Sequence, residues 1–203
     1  MLHQPSFWEF VHEFIGHYFA IEGGKLWTSL WLMLVRPGQL TVDYLEGRRA
    51  RHVLPLHLLL SFGLLCLLTI KLRALVIHDP QARAWLNLGL VPYAVLVALP
   101  VLAAALMAIF RNRRRPFGEH MVFAVHQQAG VYLMIALSVG FEMLGLHWLE
   151  YPPLVWILLA PWIALRRVYG GRWWTVSLRF LGYQCAYLLV AFLAIFPLAA
   201  LYK

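Results

Sequence analysis

The chain is short of charge, and shorter still of negative charge. Only 13% of its 203 residues are Asp, Glu, Lys or Arg, and 17 basic residues stand against 9 acidic ones. A water-soluble domain of this length needs more polar surface than that. Cysteine is nearly missing as well. Cys66 and Cys185 each lie inside an apolar block with no CxxC partner, so no zinc ribbon, redox pair or disulfide framework can be read. They read as small buried hydrophobes. There is no GxSxG, no P-loop and no Rossmann glycine pattern. Gly170–Gly171 is a turn between basic residues, not a phosphate cradle. The first twenty residues lack a basic start and are interrupted by Glu9, His12, Glu13 and His17. No cleavable signal peptide is expected there, and insertion would rely on internal segments.

What is present is hydrocarbon. The sequence is 62% hydrophobic with mean hydropathy +0.70, and its apolar residues come in long blocks, which favours lipid as the solvent. Five stretches are long enough to cross a hydrocarbon core of roughly 30 Å: Leu54–Ile70, Ala84–Phe110, Met121–Phe141, Tyr151–Leu165 and Phe180–Tyr202. The fourth contains Pro152, Pro153 and Pro161, so it is expected to begin as irregular chain and to kink later. The fold class expected is all-α integral membrane, with about five transmembrane helices preceded by two N-terminal amphipathic or interfacial helices. Residues 1–53 would form the interfacial helices and a basic pre-membrane segment, and 54–203 the bundle.

The net charge of +8 points to membrane rather than nucleic acid because of where the arginines sit. Arg48, Arg49 and Arg51, then Arg111 and Arg113–Arg115, then Arg166, Arg167 and Arg172 each flank an apolar block, as the positive-inside rule requires. The loop Gly140–Glu150 has no Lys or Arg and carries Glu142 and Glu150. This places the N-terminus in the cytoplasm and the C-terminus outside. Lys71, Arg73 and Arg83, offset in part by Asp79, run mildly against the assignment.

The first fifty residues differ in kind. From Phe7 to Ala20, Glu9, His12, Glu13, Gly16 and His17 recur at helical spacing among aromatic and aliphatic residues, which marks an amphipathic helix. Gly23–Gly24 breaks it, and a second apolar helix, Leu26–Val35, ends at Pro37–Gly38. Pro55 suits the first turn of the first span.

Three groups of residues are candidates for chemistry. Arg36, Arg48, Arg49 and Arg51, mixed with Asp43 and Glu46, form either an anionic headgroup or ligand site or a plain topology anchor; Arg113, Arg114 and Arg115 belong to the same headgroup reading. Glu119 and His126 lie two helical turns apart and share a face, with His120, Gln127 and Gln128 nearby. Ionisable residues inside a span are costly and usually face the bundle interior or a wet cavity. They serve there as a proton relay, metal pair or headgroup contact, or simply as interhelical hydrogen bonds. Glu9, His12, Glu13 and His17 offer a weak metal motif: the histidines of His12–His17 are five apart, where a zincin pair needs four. The wet face of an amphipathic helix explains the same four residues. No cofactor is expected.

The segment SLWLMLVRPGQLTVDYLEGRRARHVLPLHLLLS (Ser29–Ser61), with RRRPFGEHMVFAVH (Arg113–His126) and ALRRVYG (Ala164–Gly170), resembles bacterial membrane proteins grouped as the domain-of-unknown-function family numbered thirty-six sixty-seven. The resemblance covers most of the chain and implies a membrane location and a helical fold, but no established reaction. Many members begin with a four-cysteine zinc ribbon. This sequence has none, so no role of a ribbon carries over.

The expectation is a polytopic protein of the bacterial cytoplasmic membrane without a complete catalytic constellation, contacting lipids or a membrane partner and assembling as a homo-oligomer or in a larger complex. Two alternatives stay open. One is a small transporter or channel with a polar Glu119/His126 site. The other is a membrane-embedded enzyme acting on a lipid-linked substrate through Glu119, His120 and His126.

Overall fold

The computed structural model describes residues 24–76 and 91–200, and every regular element among them is helical. The expected helix Phe7–Ala20, with its Glu9, His12, Glu13 and His17, lies outside the described residues. So do Asp79 and Arg83.

Helix α1 spans residues 24–35 and stops at Pro37–Gly38, as the turn signal predicts. A short helix α2 (Gln39–Leu45) and a 3-10 turn (Arg48–Arg51) follow. Five long helices come next: α3 (Pro55–Val76), α4 (Val91–Ile109), α5 (Phe117–Met143), α6 (Tyr151–Tyr169) and α7 (Trp173–Ala200). Pro55 opens α3, where its missing N–H is no loss. Contrary to the expected irregular start, α6 is helical from Tyr151. Pro152 and Pro153 occupy its first positions, where the fixed φ of proline is already that of a helix. The helix then runs through the buried Pro161.

α5 is the central element and packs on α3, α4 and α6. It runs parallel to α3: Gly63 faces the Tyr132 ring, and at the far end Arg73 makes a two-pronged hydrogen bond to Glu142, 2.8 and 2.9 Å. α6 returns antiparallel, with Ser138 Oγ donating to the Glu150 carbonyl at one end and His120 meeting Tyr169 at the other. α7 reverses again, fixed by Trp162 Nε1 donating to Ser177 Oγ at 3.0 Å. The buried side chains form one core, including Leu58, Phe62, Leu106, Phe110, Phe123, Leu165 and Val176. Met33, Leu40 and Val53 join it from the segment that precedes α3.

The exterior is the reverse of a soluble protein's. Leu56, Leu60, Leu64, Leu68 and Leu72 are exposed along α3, and Leu178, Leu181, Leu188, Leu189, Phe192 and Leu193 along α7. Contiguous apolar surface on this scale marks a lipid-facing wall. Three helices are long and apolar enough to cross a membrane; they lie within Arg48–Val76, Phe117–Met143 and Trp173–Leu193. Residues Ala98–Ile109 form a shorter apolar helix. α6 falls outside the three because prolines and the Arg166–Arg167 pair interrupt its apolar run.

Candidate functional site: the junction of three sequence motifs

The motifs that stood apart in the sequence meet at one end of the bundle. The turn Arg36-Pro37-Gly38 sits against α6. Gly38 has φ 84°, and a Cβ there would lie 2.8 Å from Ala164 Cα, so glycine is required twice over, by backbone and by contact. The last carbonyls of α1 have no partner within their own helix. Two side chains of α6 donate to carbonyls in this region: Trp156 Nε1 to the Leu34 carbonyl at 3.0 Å, and Arg167 Nη1 to the Pro37 carbonyl at 2.6 Å. The RPG turn and the ALRR stretch are thus two halves of one joint.

Beyond the joint, α2 carries Thr41 and Asp43 inward; both are buried. Asp43 accepts hydrogen bonds from Gln39 Nε2 (2.8 Å), from Arg48 and from His52 Nε2 (2.9 Å). Burial alone would push this carboxyl up. The three donors reverse that and hold it below its ordinary 3.8. Arg48 also pairs with Glu46. The Nδ1 of His52 is buried without a hydrogen-bond partner among the described residues. Thr41 Oγ1 lies 3.0 Å from His126 Nδ1, both side chains buried, which ties α2 to α5.

The Glu119–His126 group does not converge on one point. Glu119 sits half-buried in the first turn of α5 and pairs with Arg115 at 2.8 Å. His120 is almost wholly buried, its Nδ1 2.7 Å from the Tyr169 hydroxyl. Tyr169 in turn stacks on Phe110 with ring centroids 4.0 Å apart. His126 reaches Thr41 instead. Gln127 is buried, and Gln128 Oε1 accepts a hydrogen bond from Tyr187 at 3.1 Å. His126, His120 and Gln128 thus join three different neighbouring elements, α2, α6 and α7, while Glu119 stays with the adjacent turn. Among the described residues no three His, Cys, Asp or Glu side chains gather as metal ligands.

The arginines divide into two sets. Arg115 is committed: it bonds Glu119, donates to the Val168 carbonyl at 3.0 Å and lies over the Tyr169 ring. Arg36, Arg49, Arg51, Arg113 and Arg114 are exposed and form no ion pair among the described residues. The turns Arg48–Arg51 and Arg111–Arg115 and the end of α6 all lie at this end of the bundle, with Arg113 Nη2 close to Gly171. The opposite end carries the Arg73–Glu142 pair.

Sequence reasoning singled out His120 and His126 but not their partners. Thr41, Trp156, Ala164, Arg167, Tyr169 and Tyr187 gave no local signal, because they act across separations of 49 to 130 residues. The one available hint was the recurrence of RPG and ALRRVYG in the same resemblance.

A leucine-walled bundle, with sparse interior hydrogen bonds and arginines gathered at one end, defines the class: an all-helical membrane protein. Residues 24–67 match the model of a family described as "Protein of unknown function (DUF3667)", the family that the Ser29–Ser61 motif resembles. No curated protein and no solved structure matches the chain.

Proposed function

We propose that the chain is a non-catalytic subunit of a bacterial cytoplasmic membrane, crossing it five times, that binds lipid or a membrane partner through its arginine-rich end. In this reading α3 to α7 all cross. The N-terminus and the arginine turns face the cytoplasm, the C-terminus lies outside, and the small bundle works as a homo-oligomer or within a larger complex. The observation that carries the reading is the dispersal of polar groups on α5. His120, His126 and Gln128 each hold a separate neighbouring helix, which is how interhelical hydrogen bonds are used to assemble a bundle, and Glu119 is taken by the adjacent Arg115. A transport path or an acid–base pair needs such groups to share one space.

The test uses single cysteines introduced into a Cys66→Ala/Cys185→Ala background. Asn112→Cys should react with a membrane-impermeant maleimide only from the cytoplasmic side, and His147→Cys only from the other. Labelling of both from one side would end the five-span reading. The same preparation tests the role of the polar groups. If His126→Ala keeps the full thermal stability of the parent yet abolishes a measured flux or turnover, the non-catalytic reading is wrong.

A further inference from the structure

We propose that the cleft between the end of α4 and the start of α5 binds one anionic phospholipid, its phosphate held by Arg111 and Arg114. The inference rests on the lipid-binding reading above and gives it a defined site. The cleft has a volume of about 500 Å³, within the rough range of 300–1,000 Å³ typical of small-ligand sites. Its lining has two chemistries: Met107, Ala108, Phe110 and Pro116 are apolar, while Arg111, Arg114 and Arg115 are basic, and His120 completes it.

The arginines are not equivalent. Arg115 is held by Glu119 and the Val168 carbonyl, so this pair forms a neutral, fixed wall. Arg111 and Arg114 are exposed and have no carboxylate partner among the described residues, so two guanidinium groups stand at the mouth without a counter-charge. Guanidinium forks bind phosphate oxygens in pairs. The start of α5 adds to the same field, since its first-turn N–H groups have no side-chain cap. The apolar wall decides the rest. Met107, which lines the cleft, is itself exposed, so the cleft opens toward the apolar exterior. A free phosphate would use only the basic rim. A phospholipid uses both kinds of lining, with its phosphodiester on the arginines and the upper part of its chains along Met107 and Ala108. A choline headgroup would bring a quaternary ammonium against two uncompensated cations, so the site favours glycerol-type anionic headgroups.

Arg114 also supplies a clean test. Its backbone is left-handed, φ 47°, a conformation that glycine adopts freely and other residues rarely do. The full chain, purified in a nonionic detergent, is mixed with phosphatidylglycerol, phosphatidylcholine or inorganic phosphate and weighed by native mass spectrometry. One phosphatidylglycerol should be retained per chain, with a preference of about ten-fold over phosphatidylcholine, and inorganic phosphate at equal concentration should not displace it. Arg111→Gln/Arg114→Gln should lower retention about ten-fold. Arg49→Gln/Arg51→Gln removes the same charge from the same end but outside the cleft, so it should lower retention clearly less than the cleft pair does. Arg114→Gly should lose lipid while its lipid-free thermal midpoint holds or rises, which separates lost binding from lost folding.

Equal losses in the two glutamine pairs would overturn the cleft and leave a diffuse lipid contact at the arginine end. Displacement by inorganic phosphate would assign the site to a soluble anion and overturn the lipid. Equal retention of both phospholipids by the parent chain would overturn the anionic cleft alone, and retention of neither would overturn the lipid arm of the proposed function with it.

Discussion

At the scale of single residues, two glycines with one backbone geometry make a controlled comparison. Gly38 and Gly47 have φ of 84° and 81°, but a Cβ on Gly38 meets the Ala164 backbone at 2.8 Å, while one on Gly47 meets nothing within 4 Å. Gly47→Ala should therefore cost about 1 kcal/mol of backbone strain. Gly38→Ala adds a clash that neither backbone can relieve easily, for a total of about 2–4 kcal/mol. Thermal unfolding in detergent measures both, and equal costs would mean that the joint with α6 is not as tight as described. Tyr169→Phe makes a second case. It takes from the His120 ring its 2.7 Å partner inside the core, leaving it only the Arg115 backbone contact, at a cost of about 1–3 kcal/mol. Adding His120→Phe should restore most of that loss, because two apolar groups need no partner. A double variant as unstable as the single would show that the hydrogen bond is not the reason the pair is there. The sequence told that His120 and His126 were unusual, since ionisable residues stand out in an apolar block. It also placed Glu119 and His126 on one face by spacing alone. Spacing does not see which neighbour covers each turn of that face, and here three different elements do.

At the scale of elements, the segment from α1 to Val53 is a clasp closed on itself and fastened to the bundle by polar contacts. Ser29 Oγ accepts the Val53 N–H at 3.1 Å and Asp43 collects Gln39, Arg48 and His52 within it, while Thr41 to His126, Trp156 to Leu34 and Arg167 to Pro37 hold it to the bundle. The Asp43 carboxyl is held below its ordinary value, so folding favours its charged form. The stabilisation is present in full above the ordinary value of 3.8 and is lost as pH falls through the lower folded value. Protection factors of residues 39–53, with the acid-slowed intrinsic exchange rate divided out, should thus stay high at neutral pH and fall on strong acidification. Asp43→Asn should exchange faster at neutral pH and lack the acid step. An unchanged acid step in that variant would move the titrating group elsewhere. The end of α1 and the opening of α3 were legible, because Pro37–Gly38 and Pro55 punctuate the chain with known mechanisms. The start of α6 was not. A double proline reads as a break from sequence, yet at the first helical positions it is an aid, and the choice between the two depends on where Ser138 anchors the Glu150 carbonyl.

For the whole molecule, hydropathy identified the apolar blocks and charge placement identified the two ends. The Lys and Arg turns that the positive-inside rule groups together in sequence are also together in space, tied by Arg115 to Val168 and Arg167 to Pro37. What hydropathy does not carry is which blocks touch. All five are apolar in the same way, and lipid and leucine are nearly interchangeable neighbours. The deciding marks are the small residues and sparse polar groups. Gly63 admits Tyr132, and Gly130 lies so near Trp156 that a Cβ would sit 2.9 Å from its ring. α5, with its histidines and glutamines, takes the centre because its polar groups find partners there. α3 and α7, with leucine on their outer faces, take the rim.

The parallel pairing of α3 with α5 sets an order of events during synthesis. Facing positions such as Arg73 and Glu142 are 69 residues apart, so at roughly 5–20 residues per second the ribosome needs about 3–14 s to deliver the partner of a helix already released. Through that interval the inner side of α3, with Leu58, Phe62 and Cys66, must rest against lipid or a helper protein. A nascent chain stalled at residue 116 should be an orphan, cross-linking through Cys66 to insertion machinery and degraded quickly after release. One stalled beyond residue 169 should have let go of that machinery, with Cys66 shielded from alkylation by a neighbour made a third of a protein later.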